Sequence, residues 1–147
     1  MRKEYNEDAI SLLKECSAGC KMAIDNFEQI SSMIQDQTLK ELIKKYNTDH
    51  IKLHEECHLI LNEAGAEDKE PNMMAKMMGK LQSQMKLMSS GDTKKAAEIL
   101  TDGCNMGMKT LSEFMNQYKN ADSRAITICE KIYQIEDQMM DELRAYL

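Results

Sequence analysis

The sequence holds one proline, no tryptophan, two phenylalanines and six glycines among 147 residues. So few aromatic and turn-forming residues exclude a β-sandwich or barrel, whose short strands need both in quantity. No run approaches the ~18 consecutive apolar residues of a transmembrane helix, so no membrane is expected as a partner. After Arg2 and Lys3 the first eight residues lack an apolar stretch, so a signal peptide is not expected either. Basic charge is in deficit. With 19 Lys and Arg against 25 Asp and Glu, the net charge is -6. Nothing then drives the counterion release on which nucleic-acid binding rests. The five cysteines are an odd number, which predicts free thiols in a reducing, cytoplasmic setting rather than a disulfide framework.

What remains is helical pattern, enough for one domain spanning residues 1–147. Residues 5–35 read as one helix, because Ala9, Leu13, Cys16, Cys20, Ala23, Phe27, Ile30 and Ile34 recur at alternating four and three. Thr38, three residues before Glu41, predicts a capping box that opens a second helix. Its seam is Leu39, Ile43, Tyr46, His50, Leu53, Cys57 and Ile60, with Gly65 as the C-terminal stop and residues 64–71 as a loop. The connection at Asp36 and Gln37 is short, so the two helices form an antiparallel hairpin. Pairing Ile34 with Leu39, Ile30 with Ile43, Phe27 with Tyr46, Ala23 with His50, Cys20 with Leu53, Cys16 with Cys57 and Leu13 with Ile60 keeps the summed residue number constant. The two seams register along their whole length.

Pro71 suits the first turn of a shorter third helix, with Met74, Met78, Leu81, Met85 and Met88 on one face. Asp92 is a good N-cap for the stretch 93–119, whose seam is Ala97, Leu100, Cys104, Gly107, Leu111, Phe114 and Tyr118. A turn at 120–122 precedes a last helix over 123–147, with Ala125, Cys129, Ile132, Glu136, Met139, Leu143 and Tyr146 inward. The constant-sum rule pairs Phe114 with Cys129, Gly107 with Glu136 and Cys104 with Met139. The fold expected is all-α: an antiparallel four-helix bundle with an additional Met-rich helix in the crossover.

Two hairpins joined by a long connection is the plan of ferritin-like bundles. The C-terminal half, from Gly103-Cys-Asn-Met-Gly-Met-Lys-Thr-Leu111 through Ala145-Tyr-Leu147, resembles small bacterial ferritin-like proteins of unknown function. The resemblance implies the fold and brings no activity with it. A di-iron bundle needs two Glu-x-x-His pairs, each putting both side chains on one helix face. Glu55-Glu-Cys-His58 supplies one. Glu130 and Glu136 are followed three residues later by Tyr133 and Met139, and no histidine follows His58. No conventional catalytic centre and no required cofactor are therefore expected.

Cys16 and Cys57 share a layer of the hairpin, with His58 and Glu55 nearby. Thiolates with an imidazole suit cuprous copper or zinc, so these four are the candidate metal ligands. Against that stands the tendency of free cysteine to act as a small buried hydrophobe. Glu136, on an apolar seam opposite Gly107, needs a partner, a proton or a metal if buried. His50 is a candidate partner, as is an Arg or Lys reaching in; a one-position shift would instead bring Glu136 to the boundary. Six of the 14 methionines fall in residues 71–88. Met73 and Met77 widen the apolar stripe beyond one seam, which predicts a second copy of the chain or a partner helix against them. The functional expectation is a structural or interaction module with a degenerate ferritin-like site. A soft-metal-binding bundle is the alternative.

Overall fold

Side-chain caps set the starts of three long helices. The computed structural model describes residues 4–66, 80–89 and 91–147. Asn6 caps α1 (Glu7–Met33), its side chain accepting from the Ala9 amide at 2.8 Å. Asp36 caps α2 (Gln37–Glu63), accepting from the Leu39 amide at 2.9 Å. The capping box expected at Thr38 and Glu41 is therefore not the start of this helix. Asp36 keeps the extended backbone a cap requires, while Thr38 lies inside the first turn and donates its hydroxyl to Asp36 at 2.7 Å. α2 ends in a Schellman arrangement: Ala66 N–H donates to Leu61 C=O at 2.9 Å and Gly65 N–H to Asn62 C=O at 3.0 Å. Gly65 takes φ 70° there, a left-handed conformation that a side chain would oppose.

Residues 80–86 are helical. Met73 and Met77, and with them the rest of 67–79, lie outside the described residues. Asp92 caps α3 (Thr93–Gln117) through the Lys95 amide at 3.0 Å. Asp122 precedes α4 (Ser123–Leu143), which tightens into a 3₁₀ turn over Arg144–Tyr146. Among the described residues there is no strand, and no helix is long and apolar enough to cross a membrane.

The apolar seams face inward, and each helix buries positions beside its seam as well, Leu12, Leu61, Ile99 and Ile128 among them. Burying one such side chain is worth about 1.5–3 kcal/mol, so these shoulders add as much per residue as the seams. Two core clusters result. One joins Leu13, Cys16 and Cys20 of α1 to Leu53, Cys57 and Ile60 of α2, and to Leu111, Phe114, Cys129 and Ile132. The other joins Phe27, Ile30 and Ile34 to Leu39, Ile43 and Tyr46, and to Leu100, Cys104, Met139 and Leu143. The start of α1 thus lies beside the end of α2, in the pairing the seams imply. Leu81, Met85 and Met88 complete the second cluster.

The chain also closes on itself at one end. Asn6 donates its backbone N–H to Asp122 at 3.0 Å and its side-chain amide to the Asn120 carbonyl at 2.7 Å. The start of α1 is thereby tied to the turn between α3 and α4.

Candidate functional site

At the boundary of the two clusters lies one layer of the seams: Ala23 of α1, half-buried and packed against the second cluster, with His50, Gly107 and Glu136 of α2, α3 and α4, which belong to neither. Two small residues thus stand in a layer with two polar ones. The His50 ring is fully buried and meets the edge of Phe27 at 5.0 Å between ring centres. Its Nδ1 lies 2.7 Å from the Tyr46 carbonyl oxygen. A carbonyl only accepts, so Nδ1 carries hydrogen and donates. Nε2 is thereby turned toward Glu136, 3.6 Å from Oε1.

Gly107 is what makes room for the carboxyl. A Cβ built there would lie 2.2 Å from Glu136 Oε2 and 2.8 Å from Cδ, closer than atoms can approach. The Glu136 side chain is 12 % exposed. Burial holds its carboxyl above the ordinary range, and the adjoining His50 pulls it partly back. The Cys20 and Cys104 thiols sense the same carboxylate: burial pushes both up, and the nearby charge of Glu136 pushes further.

Glu136 forms part of the wall of a cavity of about 60 Å³ between α1, α3, α4 and residues 81–85. Gly19, Ala23, Gly103 and Gly107 leave the space, and Phe27, Ile30, Leu81, Met85 and Leu100 make most of it apolar. Asn26 is the other polar group in its wall, only 6 % exposed. Among the described residues neither Asn26 Oδ1 nor Glu136 Oε2 has a hydrogen-bond partner, and His50 Nε2 has none either. A buried acceptor left bare costs about 1–3 kcal/mol, so the arrangement asks for a donor. A wider depression of about 570 Å³ lies between α1 and α2, lined by Glu28, Lys40, Glu41 and Lys44. It is open and charged, and encloses nothing.

Cys16 and Cys57 do meet in one cluster, fully buried, together with Cys20 and Cys129. A hydrogen bond with Cys129 holds the Cys16 thiol well above its usual range, and burial adds to this. Glu55 and His58 stand on the exposed face of α2, with the His58 ring stacked on His54 at 6.3 Å. The four candidate metal ligands are thus divided between core and surface. Among the described residues no three His, Cys, Asp or Glu side chains are grouped to hold a metal ion. Asn26 is the site residue that sequence reading missed. The signal was a second row on α1, in which Cys16, Gly19, Ala23, Asn26 and Ile30 also alternate three and four apart.

No protein-family model matches the chain, and neither a curated protein nor a solved structure matches it.

Proposed function

We propose that this chain is a non-catalytic binding protein that encloses a small, mostly apolar guest carrying a hydrogen-bond donor. Its frame on this reading is an antiparallel, ferritin-like four-helix bundle whose interior serves binding rather than metal chemistry. The observation that carries the proposal is the pair of unpartnered acceptors, Glu136 Oε2 and Asn26 Oδ1, in the wall of one apolar cavity. Apolar walls with few placed polar groups are the ordinary composition of a ligand site. Three glycines and an alanine hold that space open at positions where larger side chains would fill it.

Nuclear magnetic resonance titration with a short aliphatic probe, n-propanol, tests the reading. Amide shifts should concentrate at Asn26, Gly103 and Gly107 and saturate. Gly19→Leu, which places an isobutyl group toward the same space, should abolish them. Shifts scattered over the surface, or equal shifts in the filled variant, would sink the proposal.

A further inference from the structure

Away from the cavity, we infer that His54 and His58 form a surface chelate for one divalent transition-metal ion of the zinc and nickel class. The run His54-Glu55-Glu56-Cys57-His58 lies wholly inside α2. Its two histidines are four residues apart, so their side chains share one face of the helix, one turn apart. Zinc-binding helices present paired imidazoles at this same spacing. The rotation of α2 is fixed by its core, in which Leu53, Cys57 and Ile60 are buried. That leaves His58 exposed and His54 half-buried. Their rings stand side by side, 6.3 Å apart between centres and with planes inclined by 20°.

A metal at ~2 Å from one nitrogen of each ring would hold the ring centres about 5 Å apart. The remaining ~1 Å is closed by rotation of the two side chains between staggered positions, with no movement of the backbone. Cys57 is fully buried and is no ligand. Among the described residues no three His, Cys, Asp or Glu side chains are grouped around an ion, so the pair is the whole protein contribution and water takes the other positions. Such an open site binds less tightly than a closed four-ligand one, and the ion exchanges with solvent. Two imidazoles suit zinc, nickel and copper, whereas magnesium and calcium call for oxygen donors. Glu55 and Glu56 between the histidines, and the net charge of -6, favour the approach of a cation.

The experiment is isothermal titration calorimetry of the full chain, without an affinity tag and near neutral pH, with Zn²⁺ and then with Mg²⁺. The expected result is one zinc ion per chain and no heat from magnesium. His54→Ala and His58→Ala should each weaken zinc at least tenfold. The double variant should be no weaker than either single one, because a lone imidazole is no chelate. Alanine is favoured in a helix, so the variants keep the fold. Zinc binding that survives both substitutions, or displacement of zinc by magnesium, overturns the inference. On the unaltered chain, the ring resonances of His54 and His58 should move together with zinc while those of His50 stay. Movement at His50 alone, or at none of the three, overturns it as well. Neither histidine lines the cavity, so this outcome and that of the n-propanol titration are independent.

Discussion

His50 Nε2 and Glu136 Oε1 stand 3.6 Å apart at the boundary between two apolar clusters, joining α2 to α4 across the interior. What brings them together is that each is the single polar position in its own helix seam, at the same height in the bundle.

The raised carboxyl of Glu136 makes stability depend on pH in a definite sense. In the unfolded chain the group ionises near 4.5, whereas in the folded chain it keeps its proton to higher pH. Its contribution is therefore fully present below 4.5 and falls as pH rises toward the raised folded value. Within that window each pH unit removes up to about 1.4 kcal/mol. Urea unfolding of the wild type and Glu136→Gln across this range should show the difference. A pH-independent gap between the two curves would contradict the assignment.

Gly107→Ala should show a reversal of sign. In the wild type the new Cβ collides with the Glu136 carboxyl and forces it from its place, at about 1–2 kcal/mol. Beside Glu136→Ala that collision is gone, and the same substitution should stabilise by about 1 kcal/mol through helix propensity alone. A double-mutant cycle by chemical denaturation measures both. Equal effects in the two backgrounds would show that Gly107 does not make the space.

All five cysteines are free and buried, and Cys16, Cys20 and Cys104 hold their protons tightly. Thiolate is the reactive form, so a water-soluble disulfide reagent should find under one equivalent of thiol in the native protein and five after denaturation. Fast native labelling of two or more would contradict this burial. Cys16→Ala should cost about 1–2 kcal/mol, since a small apolar group is lost from a packed cluster.

Asn6 gives a test at the periphery. Asn6→Ala removes the cap on Ala9 and the bond to Asn120, and should cost about 1–2 kcal/mol. Asn6→Asp keeps a capping oxygen but loses the donor to Asn120, and places a carboxylate beside Asp122. Thermal melts should put it below the wild type, and an Asp variant as stable as Asn would remove the role given to the side-chain amide.

The helical seams were legible because burial on a helix leaves a period of three and four in the chain. The opposition of Gly107 and Glu136 followed from that register, whereas His50 stood only as one candidate partner beside an Arg or Lys. The meeting of His50 with Glu136 did not follow, because periodicity orders residues within a hairpin and says nothing of how one hairpin is rotated against the other. The cavity was illegible for a related reason: Gly19, Gly103 and Asn26 lie beside the seams, where small and polar residues look like surface. The capping box at Thr38 misled because Thr-x-x-Glu has the same spacing inside a first turn as before one, and Asp36 is the stronger acceptor two residues earlier.

The ties from Asn6 to Asp122 and Asn120 join positions 116 and 114 residues apart. Within each helix pair the contacts are local in sequence and can form quickly, whereas this closure must wait until almost the whole chain has been gathered. The search for it grows with the length enclosed and slows folding relative to a hairpin alone. Docking of the α1 start onto the α3–α4 turn is thus expected as a late kinetic event. Weakening it should speed unfolding more than it slows folding.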